Sequence, residues 1–284
     1  MNETRLDVVG FPIGHSKSPL IHEAVLDEIT PSYRYRKVSL EKGHLAEYLS
    51  QVKSEHINGF NLTMPHKQDI IPFLDFIDDE AKLLHSVNTV KVKDGKLFGY
   101  NTDSKGMLCS MAEIGIFPKG KNVSLLGAGG VARTAALKLT LEGANQIDIF
   151  NRSLSAANEI FEDVFNITQK KIFAHQLNLA DLADALTDCD ILINCTPLGM
   201  QGFDCDFEDL SFLNSLKKES LVFDLIYNPP ETNLLKAAHS LGLKTLNGFG
   251  MLIYQALLAD EIFLEQSIDF NYFKEKIENK LKKF

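Results

Sequence analysis

The sequence predicts an α/β protein in two parts. An N-terminal α/β domain comes first, then a domain wound around a parallel sheet, with C-terminal helices packing back on the first domain. Three observations carry this. Short apolar strands alternate with helical stretches along most of the chain, the pattern of βαβ units. The segment Asn122–Leu126 suits a strand buried in a parallel sheet, and a glycine-rich turn and a helix follow it directly. Polar or Gly/Pro loops then close one strand after another, where open α/β sheets bind ligands. The expected boundaries are residues 1–104, 105–249 and 250–284.

Composition agrees with a folded protein. Of 284 residues, 45% are hydrophobic and 24% charged, enough apolar material for two ordinary cores. The net charge of -9 argues against non-specific binding to nucleic acid or to an anionic membrane, so any anionic ligand must be met by local basic or N–H groups. Cys109, Cys189, Cys195 and Cys205 form no C-x-x-C pair, and no histidine cluster has metal-ligand spacing. Reduced, buried cysteines and no metal are expected. The chain enters a strand at Arg5–Gly10 without a signal peptide, and no apolar run is long enough for a membrane span. A cytoplasmic protein, monomer or homodimer, is the expectation.

Taken in order, Val8–Phe11 reads as a strand, Pro12–Pro19 as a polar turn, Pro19–Ile29 as a helix and Tyr33–Val38 as the next strand. Ser16 and Ser18 precede the helix and suit capping; two hydroxyls beside free N–H groups also suit a carboxylate. His15 and His22 read as surface or capping histidines. A short strand then leads into Asn61-Leu62-Thr63-Met64-Pro65-His66-Lys67, with Asn61 and Thr63 on one face and Phe60 and Leu62 on the other. Pro65 suits a first helical turn, which places Lys67 against the positive end of a helix dipole. A cation set among polar groups in that way suits proton transfer; a solvated lysine after a turn is the plain alternative.

Asp94-Gly95 between two strand-like runs is a two-residue hairpin signal. That loop sets Asn88 opposite Asn101 and Ser86 opposite Asp103, which places Asn88, Asn101 and Asp103 on one face. Asp103 also suits the N-cap of a helix starting near Ser104.

After Asn122–Leu126 comes Gly127-Ala128-Gly129-Gly130-Val131-Ala132, a G-x-G-x-x-A turn, then a helix to Leu141 with Gly143 at its end, then the strand Gln146–Phe150. This is a dinucleotide-binding βαβ unit of Rossmann type. The second strand ends in Asn151-Arg152-Ser153, where an NAD site usually carries an acid. A guanidinium, an amide and a hydroxyl suit a 2′-phosphate instead, so NADP is expected, with NAD as the weaker alternative. Later strands end at Cys195–Met200, Ile226–Pro230 and Asn247–Gly250. A helix over about Met251–Gln266 carries Gln255 in an apolar run. A last helix shows Phe273, Ile277, Leu281 and Phe284 at helical spacing, with Glu278 and Lys282 as an i,i+4 pair.

Gly14-His15-Ser16-Lys17-Ser18-Pro19, Asn61–Lys67, Ser86–Val90, Gly99–Asp103, Gly127–Ala132, Asn151–Ser153, Asn194–Met200, Asp224–Pro229 and Gly248–Leu252 occur here in one order. With these motifs the chain resembles the shikimate dehydrogenase family over nearly its whole length. The resemblance implies a substrate domain followed by an NADP-binding domain, and reversible reduction of 3-dehydroshikimate to shikimate, a step toward aromatic amino acids. By the same likeness Ser16 and Ser18 would hold the substrate carboxylate. Asn61, Thr63, Asn88, Asp103, Tyr227 and Gln255 would contact its ring. Lys67 would be the acid/base, with Asp103 beside it. Gly127, Ala128, Gly129, Gly130, Val131 and Ala132 would take the pyrophosphate, and Asn151, Arg152 and Ser153 the 2′-phosphate. Thr196, Leu225, Gly248 and Met251 would line the nicotinamide half.

One departure stands out. Ala156 aligns with a position where NADP-preferring members often carry a second basic residue, so discrimination against NAD is expected to be modest. A quinate/shikimate dehydrogenase using NAD or both cofactors is the near alternative. A non-catalytic metabolite-binding regulator on the same scaffold is the distant one. Neither binds nucleic acid or membrane, and both take a small molecule.

Overall fold

The computed structural model describes residues 3–281. The chain divides into two compact units, one running through Met107 and resuming at Ile253, the other spanning Leu108–Leu252. The boundaries fall within helices and not in loops.

The first unit begins with β1 (Thr4–Gly10), α1 (Ser18–Ile29), β2 (Tyr33–Ser39), α2 (Leu45–Ser54) and β3 (Gly59–Leu62). A one-turn α3 (His66–Asp69), the short β4 (Phe76–Ile77) and α4 (Asp79–Leu84) follow. The hairpin β5 (Thr89–Lys93) and β6 (Lys96–Tyr100) leads into α5 (Asp103–Glu113). The sheet order is β2-β1-β3-β5-β6-β4, parallel from β2 to β3 and antiparallel across β3, β5 and β6. Side chains of β1 alternate between its faces. Val9 packs with Tyr48, Leu49 and Val52 of α2 and with Phe60 and Leu62 of β3. Leu6 and Val8 face the other way, onto Leu26 of α1 and Tyr35. Asp7 shares the α2 face and is fully buried, but Arg36 grips both its oxygens at 2.7 and 3.1 Å and the Tyr48 hydroxyl donates at 3.0 Å. A buried carboxylate is tolerated when both its oxygens are answered by donors, one of them a guanidinium, in this way.

The second unit holds β7 (Asn122–Leu126), α6 (Gly130–Leu141), β8 (Gln146–Asn151), α7 (Leu154–Thr168), β9 (Phe173–Gln176), α8 (Leu179–Leu186), β10 (Ile191–Asn194), β11 (Leu221–Asp224), α9 (Asn233–Ser240) and β12 (Lys244–Asn247). Its sheet, ordered β12-β11-β10-β7-β8-β9, is parallel throughout. The strand order reverses at β7 and β10, so the loops after these strands lie side by side at the switch point. Strands β7, β10 and β11 are buried along almost their whole length, as the sequence expectation for Asn122–Leu126 required. Gly143 ends α6 with φ +86°; its N–H reaches Thr140 O and that of Ala144 reaches Leu139 O, the paired bonds of a Schellman stop.

Helix α10 (Phe249–Leu264) and α11 (Phe270–Leu281) complete the chain. From Ile253 onward they belong to the first unit, with Ala259 and Phe263 of α10 packed on Leu6 and Val8 and α11 laid along α1. Phe273 and Ile277 are the buried positions of α11. Lys282 and Phe284 lie outside the described residues, and Glu278 pairs with Lys274 at 2.5 Å. No helix among the described residues is long and apolar enough to cross a membrane, and no group of His, Cys, Asp or Glu among them could hold a metal ion.

Candidate functional site

The hairpin register is as the Asp-Gly turn requires: Thr89 pairs with Tyr100 and Lys93 with Lys96, with Asp94 and Gly95 at φ +52° and +72°. Its open end delivers Asn88 to Asp103. The Asn88 amide is oriented from both sides. Its Oδ1 accepts the Thr102 N–H at 2.8 Å, and its Nδ2 donates to Asp103 Oδ1 at 2.9 Å. A backbone N–H needs an acceptor and a carboxylate needs a donor, so the amide has one stable orientation. Lys67 Nζ donates to Asp103 Oδ2 at 2.6 Å, with the lysine and carboxylate side chains 28% and 19% exposed. Each oxygen of Asp103 thus has one fixed donor and keeps a lone pair free. Gln255 of α10 reaches the same cluster, its Oε1 3.4 Å from Asn88 Nδ2.

Two expectations change here. Asn101 does not join Asn88 and Asp103. Strand β6 ends at Tyr100, so alternation no longer governs Asn101; its Oδ1 accepts the Ser104 N–H at 3.2 Å and its Nδ2 donates to Ser86 O at 2.9 Å. Asn101 therefore caps α5, and Asp103 is released from that duty. Pro65 is the residue before α3, across a cis Met64–Pro65 bond, and α3 is a single turn. Little helix dipole opposes Lys67 there. Its position comes from hydrogen bonds: Val87 N–H donates to Lys67 O at 2.8 Å, and the ring of His66, fully buried, meets Leu40 O through Nε2 at 2.7 Å.

Asn61 is nearly buried and fully engaged. Its Oδ1 accepts from the Tyr35 hydroxyl at 2.7 Å, and its Nδ2 donates to Thr89 Oγ1 at 3.1 Å. Thr63 is half-buried just past β3, its methyl over Gly10, where an added Cβ would come within 2.2 Å of it. Ser16 and Ser18 are half-buried at the head of α1. Ser16 Oγ accepts the Ser18 N–H at 3.2 Å and donates to Ser18 Oγ at 3.1 Å; the N-cap position is Lys17, with no side-chain capping bond, so the expected capping role is not taken up and the pair presents two adjacent hydroxyls. His22 is neither a surface nor a capping residue. It is buried, stacked on Tyr35, and bonded through Nδ1 to Asp260 Oδ1 at 2.6 Å.

In the second unit the glycine-rich turn has two characters. Gly127 sits at φ +100°, where a Cβ would lie 2.9 Å from the Thr196 methyl, so the protein itself demands glycine. Ala128 is half-buried and Ala132 buried, while Gly129, Gly130 and Val131 are exposed at the head of α6. Nothing lies within 4 Å of a Cβ built on Gly129 or Gly130. The first turn of α6 carries no acidic residue, and no side chain caps its N–H groups. Open space, unopposed N–H groups and a positive helix end fit a pyrophosphate. At the end of β8, Arg152 is exposed, Asn151 Nδ2 donates to Ser153 O at 2.9 Å, and Ser153 Oγ lies 2.8 Å from Ser155 Oγ. Arg152 forms no ion pair among the described residues.

The ends of β10 and β11 are tied by a network that sequence reading missed. Asn194 Oδ1 accepts the N–H and hydroxyl of Thr196 at 3.0 and 2.7 Å. Asn194 Nδ2 donates to Asp224 Oδ1 at 3.0 Å, and Thr232 Oγ1 donates to Asp224 Oδ2 at 2.6 Å. Asn194 and Asp224 are fully buried. Burial pushes the Asp224 carboxyl up, against the lowering effect of these two donors and the Ile226 N–H. The available signal was a polar residue closing each of two apolar strands. Leu225, Tyr227 and Met251 are half-buried nearby in the same unit, and burial raises the Tyr227 phenol. Gly248 lies so close to β11 that a Cβ would stand 2.0 Å from Leu225 O. The cysteines are all free, as expected, but Cys205 is exposed and Cys109 and Cys195 only half-buried. Desolvation pushes the Cys195 thiol up to about 12, with the Asp224 charge adding to it.

Known proteins with this arrangement are informative. Residues 8–90 match the family described as shikimate dehydrogenase substrate binding domain, and residues 112–230 the family described as shikimate / quinate 5-dehydrogenase. A shikimate dehydrogenase (NADP(+)) of Alkaliphilus metalliredigens is 40% identical over 282 residues, covering 98% of this chain and 97% of that one. A crystal structure of a shikimate dehydrogenase in complex with NADP+ has a TM-score of 0.86 at 36% identity, covering 98% and 96% of the two chains. The ligand-free 5-ketofructose reductase of Gluconobacter sp. strain CHM43 has a TM-score of 0.84 at 34% identity, covering 98% and 99%.

Proposed function

The chain belongs to the shikimate dehydrogenase family, and from that premise we propose that it catalyses the reversible NADP-linked reduction of 3-dehydroshikimate to shikimate. The observation that carries this reading is the Lys67 ammonium fixed on Asp103 at 2.6 Å, with Asn88 holding the other carboxylate oxygen. NADPH, when bound, supplies the hydride to the substrate ketone. The rest of the chemistry belongs to the side chains. As negative charge develops on the ketone oxygen, the Lys67 ammonium stabilises it and then donates a proton to it. Asp103 keeps the ammonium aimed and accepts a hydrogen bond from a ring hydroxyl through a free lone pair. Oxidation of shikimate reverses each step, with Lys67 receiving the proton.

Ser16 and Ser18 would take the substrate carboxylate at the head of α1, where their hydroxyls and the helix N–H groups offset a net charge of -9. Asn61, Thr63, Asn88, Tyr227 and Gln255 would bound the ring. Gly127–Ala132 would hold the pyrophosphate, and Thr196, Leu225, Gly248 and Met251 the nicotinamide half. Arg152, with Asn151 and the Ser153 hydroxyl, would receive the 2′-phosphate. A cytoplasmic setting goes with this reading.

Initial rates with shikimate and with quinate, each with NADP and with NAD, test the assignment, alongside reduction of 5-ketofructose. Shikimate with NADP should give the highest kcat/KM. A higher value for quinate with NAD, or for the ketose, would overturn it.

A further inference from the structure

His22 and Asp260 form a buried pair that the proposed chemistry does not use. They lie on α1 and α10, 238 positions apart in sequence, and their side chains are 1% and 0% exposed. His22 Nδ1 meets Asp260 Oδ1 at 2.6 Å, while His22 Nε2 and Asp260 Oδ2 have no partner. Such a pair costs desolvation that well-packed apolar residues of the same size avoid. Burial lifts the Asp260 carboxyl above its usual range, against the pull of His22. What the pair adds is direction: a hydrogen bond fixes the rotation of one helix against the other, which apolar packing does more loosely.

The two helices carry the substrate contacts. Ser18 and His22 are four residues apart on α1 and so share a face. Gln255 and Asp260 lie on the same helix, and Gln255 reaches Asn88 at 3.4 Å. The His22 ring also stacks on Tyr35, with centroids 4.5 Å apart and planes 14° from parallel, and the Tyr35 hydroxyl fixes Asn61 at 2.7 Å.

We propose that His22 and Asp260 are positioning residues for substrate binding: their hydrogen bond sets α1 against α10, and so sets the Ser16–Ser18 hydroxyls against the Gln255 amide and the Tyr35–Asn61 pair. The proposal rests on the reading of those residues as substrate contacts. The double variant His22→Phe/Asp260→Leu replaces the pair by apolar groups of similar size. Its melting temperature should stay near that of the parent, its NADPH affinity by fluorescence titration should be unchanged, and its KM for shikimate should rise about tenfold or more, as expected when contacts are misplaced by a fraction of an ångström. His22→Asn keeps an N–H donor in the place of Nδ1 and should hold the shikimate KM within about threefold, given that the direct hydrogen bond survives. If the double variant does not accumulate, Asp260→Ser, too short to reach Nδ1, should show the same rise in the shikimate KM with parental NADPH affinity, at a lower melting temperature because it leaves Nδ1 buried without a partner. A parental shikimate KM in a folded variant that lacks the bond, or an equal rise in His22→Asn, would overturn the proposal. The functional reading fails separately, by normal turnover in Lys67→Ala.

Discussion

Asn88 Nδ2 and Lys67 Nζ stand on opposite oxygens of one carboxylate, at 2.9 and 2.6 Å from Asp103. The amide is itself held by the Thr102 N–H, so the carboxylate cannot rotate to leave the ammonium without breaking a second bond. A lysine side chain is long and entropically costly to fix. Here the cost of aiming it is met by the hairpin and by α5 before any substrate arrives.

Lys67→Ala should lower kcat by about a hundredfold to ten-thousandfold, the range for loss of a positioned acid/base group. The fold and NADPH binding should survive, because Lys67 is partly exposed and the first unit keeps its core. Steady-state kinetics with a parallel NADPH titration checks this; unchanged turnover would remove Lys67 from the reaction.

Asn88→Ala strands a buried N–H on Thr102 and frees one oxygen of Asp103. The stability loss should be about 2 kcal/mol, the usual penalty for orphaning a buried donor. Urea unfolding measures it, and kcat should fall as well because Asp103 can now turn. A variant as stable as the parent would show that the amide is not needed to hold the loop.

Arg152→Ala should raise KM for NADP about tenfold or more and leave KM for NAD nearly unchanged, since a charge-assisted contact to a phosphate is worth on the order of 1.5–3 kcal/mol. The ratio of the two KM changes is the readout. Equal changes would move the 2′-phosphate elsewhere.

Gly248→Ala should fail to fold or lose about 3 kcal/mol or more, because its Cβ would meet the Leu225 carbonyl and backbone on both sides must shift. Thermal denaturation reports it. Normal stability would require β11 and the turn after β12 to separate freely.

Alkylation should sort the cysteines by pH. With its thiol pushed up to about 12 by desolvation, Cys195 is almost wholly protonated at pH 8, and the thiolate is the reactive form. Cys189, raised to about 11, should be nearly as inert, while exposed Cys205 should react first. Peptide mass mapping after iodoacetamide at pH 8 checks the order, and early labelling of Cys195 would contradict the desolvation of its thiol.

Local rules made part of this site readable. The Asp-Gly turn carries positive φ at both loop positions, which fixed the register of β5 with β6 and so brought Asn88 to the strand end that runs into Asp103. Gly127 and Gly143 were readable because backbone geometry there admits few residues. Asn101 was misplaced because alternation was carried one residue beyond the strand, where helix capping takes over. Asn194 and Asp224 join through strands 30 residues apart, and His22 finds Asp260 across nearly the whole chain. No local pattern encodes such partners; only the packed sheet and helices bring them together. Helix α2 carries its own local signal, with Leu45, Tyr48, Leu49 and Val52 at helical spacing.

The three glycines of the β7–α6 turn answer to different constraints. Gly127 is required by its neighbours in the protein, whereas no neighbouring group lies within 4 Å of a Cβ built on Gly129 or Gly130. Space alone therefore forbids no side chain at those two positions; at the N-cap Gly129 alanine caps less well than glycine, whereas at Gly130, the first helical residue, a methyl group should favour the helix. Only a visitor from solution can object to it. On the proposed reading, Gly130 is a position where cofactor occupancy can be tuned at little cost to the fold, and a bulkier side chain there should leave a well-folded protein whose proposed substrate contacts are intact and whose cofactor cannot seat.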